Sequence, residues 1–186
     1  MTKTPRTLLN LLRSYNRYKT RAMSKERVRY AGEECEYSYK WALCIGNYFI
    51  DCPLVKYLGS GSFAVVVECE GRVFKIIKRS DDAYDAFYQF CQAIGPNRYL
   101  PVFKGKWTIR GFTIYELEKL NQFLSVDHRD TICNMPSCMS EEHPELQAII
   151  SLMYEYKETL NVSWDLHQGN FATRDKYQLV IIDPWA

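Results

Sequence analysis

Asp165 and Asn170 bracket the string Asp165-Leu166-His167-Gln168-Gly169-Asn170, and Asp183 follows thirteen residues later, closing the apolar run Leu179-Val180-Ile181-Ile182. Phosphoryl transfer needs side chains of these types. One carboxylate sits beside the attacking hydroxyl, while an amide oxygen and a second carboxylate hold Mg2+. Hard oxygen donors suit Mg2+ rather than zinc. His167 reads as a brace for the loop backbone, not as a metal ligand.

Upstream, Gly59-Ser60-Gly61-Ser62-Phe63-Ala64-Val65-Val66 has the glycine spacing of a phosphate-binding turn. In a dinucleotide fold such glycines open a helix. Here β-type runs follow instead, so two readings stay open. The turn is either a flap whose backbone N–H groups approach phosphates, or an ordinary glycine-rich hairpin. Lys75 lies inside Val73-Phe74-Lys75-Ile76-Ile77. A lysine in an apolar strand must bury its stem and find an anion, and phosphate is the obvious partner. The alternative is a surface lysine, which is how Lys56 and Lys78 read.

The elements that must position these groups follow from periodicity. Thr4-Pro5 is a helix start, and Leu8, Leu11, Leu12, Tyr15, Tyr18 and Ala22 recur at helical spacing, predicting a helix over residues 5–22. A second short helix is expected near residues 24–31, then an aromatic connector over 33–52. Strands are expected at residues 55–58, 64–67 and 73–77, with Glu70-Gly71 as a hairpin turn. A helix over 81–93 has Ser80 as its expected cap and Ala83, Phe87, Phe90 and Ile94 on its buried side. Strands at 100–103 with 106–109, and at 112–117, are joined by Arg110-Gly111. Residues 119–143 show little period. Pro144 then opens an amphipathic helix with Leu146, Ile149, Ile150, Met153, Tyr156 and Leu160 on one face, and short β runs follow at 170–173 and 178–182. The fold class is α+β.

The chain has 186 residues, 47% hydrophobic and 25% charged, a globular balance that excludes a disordered or fibrous chain. No apolar run reaches the roughly 18 residues a membrane span needs. Seven cysteines without a C-x-x-C pair fit a cytoplasmic protein with reduced thiols. The net charge of +2 hides an asymmetry, because residues 1–30 hold nine basic side chains and one acid, Glu26. Such an arm either docks on nucleic acid or an acidic protein surface, or covers the body with its Leu/Tyr face while its charges are solvated. His128, Cys133, Cys138 and His143 lie five apart, a permitted zinc set in an unfavourable spacing. Incidental loop thiols are the other reading.

The glycine string, Val73–Ile77 with its lysine, Asp82-Ala83-Tyr84-Asp85-Ala86-Phe87, the Asp165–Asn170 string and Ile182-Asp183-Pro184 together resemble the protein-kinase-like fold. The resemblance is closest to the early serine/threonine protein kinases of lytic podophages, and it covers about residues 54–186. It implies a two-lobed fold with a helical N-terminal extension over 1–53, an N-lobe over 54–118 and a truncated C-lobe over 119–186. It implies ATP and Mg2+ as cofactors and host bacterial proteins as partners, phosphorylated on Ser/Thr in the cytoplasm of the infected cell. By the match, Gly59, Gly61, Ser62 and Phe63 would cover the triphosphate and Lys75 would pair with its α/β-phosphates. Asp165 would orient or deprotonate the acceptor hydroxyl, and Asn170 and Asp183 would hold Mg2+. The backbones of Glu116 and Glu118 would meet adenine. Three features depart from the pattern. No Glu stands ready to pair with Lys75, so Asp81, Asp82 or Asp85 must serve. Pro184-Trp185 follows Asp183 where Phe-Gly is usual, and the later C-lobe helices are missing. The alternative is therefore a catalytically weak or dead kinase-like protein that binds and inhibits a host factor.

Overall fold

A computed structural model of the chain describes residues 6–14, 49, 52–61, 64–78, 81–109, 111–121, 124–125, 128–129, 144–160, 162–175 and 177–185. Among the described residues, three α-helices and a mostly antiparallel sheet make it an α+β protein. Two compact units interleave along the chain. One comprises Met1–Ser80 with Lys104–Leu117, and the other Asp81–Phe103 with Glu118–Ala186.

The first unit is built on a five-stranded sheet. Its strands are β1 (Lys56–Ser60), β2 (Ala64–Cys69), β3 (Arg72–Lys78), β4 (Phe103–Ile109) and β5 (Phe112–Leu117), in the order β1-β2-β3-β5-β4. Glu70 and Gly71 both take positive φ, 53° and 72°, the turn geometry whose twist matches the two strands it joins. Side chains alternate between the faces of the sheet. One face presents Val65, Val67, Cys69, Phe74, Ile76, Phe112 and Ile114, and Leu8, Leu11 and Leu12 complete its core. Those leucines belong to α1, which includes residues 6–14. Thr7 Oγ1 donates to Glu70 Oε1 at 2.7 Å, tying α1 to the β2–β3 turn. The leucine stripe of the basic arm is thus core, while Arg6 and Arg13 stay exposed. Tyr15, Tyr18, Ala22, the short helix near 24–31 and most of the aromatic connector lie outside the described residues.

The second unit packs α2 (Asp82–Ile94) against α3 (Pro144–Leu160) and adds the hairpin β6 (Phe171–Arg174) and β7 (Gln178–Ile181). Helix α2 starts one residue later than Ser80 capping would place it. Asp81 is the cap, its carboxylate accepting from the Tyr84 N–H at 3.0 Å, and Ser80 lies outside the described residues. Ala83, Phe87 and Phe90 are buried as expected, whereas Ile94 is half-buried. On α3, Leu146, Ile149, Ile150 and Met153 are buried, but the face fades towards its end, where Leu160 is 41% exposed. The strand expected at 100–103 begins only at Phe103. Asn97 takes up the preceding backbone, its side chain accepting from Tyr99 N (2.8 Å) and its carbonyl from Leu100 N (3.3 Å). Pro101 has no N–H to give a ladder. Leu100 is nevertheless buried, in a turn. Trp185 anchors the chain end on Phe87, Phe90 and Tyr156, with ring centroids 5.7–6.0 Å apart. Among the described residues no helix is long and apolar enough to cross a membrane.

Candidate functional site

The second unit brings the Asp165–Asn170 loop and the Asp183 segment together through the backbone. Asp165 N donates to Pro184 O (2.8 Å), Ile182 N donates to Asn170 O (2.9 Å), and Trp164 bridges Trp185. Asn170 caps this arrangement. It is 8% exposed and lies in a 3-10 turn, Gln168–Asn170, immediately before β6. Its Nδ2 donates to both Asp165 O (2.6 Å) and Asp165 Oδ2 (3.0 Å). That double bond fixes which way the amide points. The nitrogen faces Asp165, and the oxygen takes the other side of the amide group.

His167 is 61% exposed in its side chain and does two things. Its Nδ1 accepts from the Gly169 N–H at 3.0 Å, bracing the backbone as expected. That bond leaves the ring's other nitrogen, Nε2, 3.7 Å from Asp165 Oδ1. The ring also explains Gly169, since a Cβ there would fall 2.8 Å from the imidazole Cε1.

Asn170 and Asp183 offer one amide oxygen and one carboxylate, a donor set that fits Mg2+ when phosphate and water oxygens supply the rest. Among the described residues no group of three or more His, Cys, Asp or Glu side chains could hold a metal. His128 has both ring nitrogens engaged, Nδ1 accepting from Ser125 N (3.2 Å) and Nε2 donating to Tyr177 O (2.7 Å). A zinc ligand needs a free lone pair, which His128 does not present in this arrangement. Cys133, Cys138 and His143 lie outside the described residues. Burial raises the Cys91 thiol pKa, and burial with the Glu70 charge raises that of Cys69, so neither is a thiolate nucleophile at neutral pH.

In the first unit the cross-strand register aligns Gly59, Val66, Lys75 and Tyr115 in one transverse row. A bulge between Tyr57 and Gly59 sets the glycine into that row. Lys75 is 8% exposed, so the surface reading fails for it. Tyr115 beside it is 1% exposed, and the Lys106 ammonium lies 5.7 Å from the Tyr115 ring centroid. Gly61 closes the turn by donating to Ala64 O at 3.0 Å, whereas Ser62 and Phe63 lie outside the described residues. Of the acids considered for Lys75, Asp81 is committed to capping α2, Asp82 is exposed and Asp85 is half-buried.

Glu116 and Glu118 do more with their side chains than their sequence context suggests. Glu116 is 2% exposed and forms a forked pair with Arg72, at 2.8 and 2.6 Å. Glu118 makes the equivalent fork with Arg174. Each carboxylate raises the pKa of its arginine, chiefly through these hydrogen bonds. The Glu118 N–H donates to Val102 O at 2.9 Å, so it is already used within the protein. Arg72, Arg174, Tyr115 and Lys106 carried no signal in the sequence, where each reads as an ordinary strand residue.

Compared with known proteins, the chain matches no family model and no curated protein.

Proposed function

We propose that the protein transfers the γ-phosphoryl group of ATP, with Mg2+, to serine or threonine hydroxyls of host bacterial proteins during phage infection. The observation that carries this reading is the Asn170 amide, whose nitrogen donates to the Asp165 main-chain oxygen and carboxylate and so holds the two residues of the loop together, its oxygen being assigned here to Mg2+. In this reading Asp165 Oδ2 is occupied by Asn170, and Oδ1 receives the acceptor proton. The acceptor oxygen then forms its bond to the γ-phosphorus as the bond to the β-bridging oxygen breaks, releasing ADP. Mg2+, when bound, neutralises phosphate charge, with Asn170 and Asp183 as its protein ligands. Lys75 is assigned to the α/β-phosphates and Gly59 and Gly61 to the covering flap, and the burial of Lys75 in its strand supports the first assignment. The exposed Arg6 and Arg13 of the basic arm are assigned to an anionic partner surface.

The test is transfer of labelled phosphate from ATP with Mg2+, wild type beside Asp165→Ala. Loss of a general base costs about 10²–10⁴-fold in rate. Nucleotide affinity is expected to survive the change, because the shorter bond from Asn170 goes to the Asp165 main-chain oxygen, which alanine retains. Wild-type protein that binds Mg-ATP but labels no protein in a bacterial lysate would favour an inhibitor of a host factor. Wild-type protein with no Mg-ATP binding at all would sink the enzyme reading.

A further inference from the structure

Arg174 closes β6, four residues after Asn170, and all three nitrogens of its guanidinium are used. Nε donates to Glu118 Oε2 (2.9 Å) and Nη2 to Glu118 Oε1 (2.5 Å). Nη1 donates to Arg98 O (2.8 Å), and Nη2 reaches Leu100 O (3.1 Å) as well. Glu118 Oε1 also accepts from Val102 N at 2.8 Å. The pair is largely shielded, with side-chain exposures of 24% for Arg174 and 15% for Glu118. One guanidinium therefore fastens the turn 98–102 and residue 118 to the β6–β7 hairpin.

Two backbone links extend the same join. Asn121 and Thr173 exchange N–H···O bonds at 2.9 and 2.7 Å, and Ile181 N donates to Tyr99 O at 2.9 Å. The hairpin register pairs Arg174 with Gln178 at the turn end and Phe171 with Ile181 at the other. Asn170 precedes the open end, and Asp183 follows it by two residues. At about 3.3 Å per residue, Arg174 lies roughly 13 Å along the strand from Asn170, too far to be a ligand of a metal held there.

We infer that Arg174, through Glu118, is a positioning residue for Mg2+ binding, setting where the hairpin holds the Asn170 and Asp183 oxygens. This rests on the phosphotransferase reading above. Lysine cannot replace it fully, because a single ammonium cannot make the fork and reach two carbonyls at once. Groups that hydrogen-bond a metal's ligands directly are worth about 10–100-fold in metal affinity, and Arg174, which acts through the hairpin, is expected at the low end of that range.

The readout is the ratio of ATP affinity with Mg2+ to ATP affinity with EDTA, by titration calorimetry on the full chain. Arg174→Gln is expected to cut that ratio about tenfold, with Arg174→Lys between it and wild type. Glu118→Gln is expected to cut it too, and the double variant no further than Arg174→Gln alone, because both act through one contact. If Arg174→Gln does not fold, Arg174→Lys and Glu118→Gln carry the test. A lowered melting temperature with an unchanged Mg2+/EDTA ratio in the folded variants would overturn the inference and leave Arg174 a purely structural residue. A wild-type protein with no Mg2+-dependent ATP binding would overturn the phosphotransferase reading, and the inference with it.

Discussion

The two faces of the five-stranded sheet are made by the same strands and differ in what they bury. One face holds Phe74, Ile76, Val65, Val67, Phe112 and Ile114 under the leucines of α1, with the Arg72–Glu116 pair at its margin. The other alternates with it residue by residue and places Lys75, Thr113 and Tyr115 among Val73, Ile77 and Leu117. An apolar face needs only volume and shape to stabilise the fold. A buried ammonium and hydroxyls, by contrast, cost free energy unless a partner satisfies them. Because the strand period is two, a slip of one residue would exchange the faces and put Phe74 where Lys75 belongs. Stability and chemistry are thus assigned to alternate positions of the same strands.

The strongest way to break this contrast is to attack the apolar face. Leu8 and Leu12 are 0% and 2% exposed. Large-to-small changes at buried leucines cost about 2–5 kcal/mol each, and a buried carboxylate costs more. Leu8→Asp with Leu12→Asp is expected to leave the first unit without a cooperative melt. A native-like melt would mean that α1 is not core.

The next effect is the polar pair on the same face. Removing one partner of a buried ion pair leaves a charge without compensation and costs about 3–5 kcal/mol. Glu116→Ala is expected at the low end, about 3 kcal/mol in denaturant unfolding, because Arg72 keeps 26% exposure and water can reach it. Arg72→Met with Glu116→Leu should cost less than Glu116→Ala alone. A double variant as damaged as the single would show that the fork itself, rather than an orphaned charge, holds β3 to β5.

On the opposite face the expected loss is in ligand binding. Lys75→Met keeps an apolar stem in the strand and removes the ammonium. Mg-ATP at 100 times its dissociation constant should stabilise wild type by about 2.7 kcal/mol. The Lys75→Met melt should show no such gain from Mg-ATP, whatever its own nucleotide-free midpoint. An equal shift in both proteins would remove Lys75 from the nucleotide site.

Local signals carried most of this architecture and little of its cross-linking. Short runs of valine and isoleucine, Glu70-Gly71 and the stripe after Pro144 each report on neighbours a few residues away, and most of the strands and α3 followed. The Asp165–Asn170 spacing was legible for the same reason, since a six-residue loop closes on itself. The two forks join residues 44 and 56 positions apart, and an isolated Arg or Glu reads as solvated. Leu100 misled because an apolar residue buried in a turn has the same hydropathy as one in a strand, and Asn97 decides between them. Ser80 and Asp81 are both good caps, and only the bond to Tyr84 N separates them. The interleaving of the two units was hidden, since it depends on which segments pack together and not on their composition.

The smallest change sharpens the contrast most, because stability and binding should move in opposite directions. Gly61 is exposed, its φ lies outside the left-handed region, and a Cβ added there meets nothing within 4 Å. Neither strain nor packing within the protein therefore demands a glycine. Under those conditions Gly→Ala stabilises by about 0.4–1 kcal/mol, because the unfolded chain loses freedom. If the turn is a flap whose backbone approaches phosphate, the added methyl group holds that backbone off. Losing one such hydrogen bond is worth about 0.5–1.5 kcal/mol, or up to roughly tenfold in affinity. Gly61→Ala is thus expected to melt slightly higher without nucleotide and to bind Mg-ATP several-fold more weakly. Paired melting and calorimetry on the same preparation would read both signs. A variant that gains stability with unchanged Mg-ATP affinity would make the glycine turn an ordinary hairpin, and would confine the chemistry of this face to Lys75 and its row.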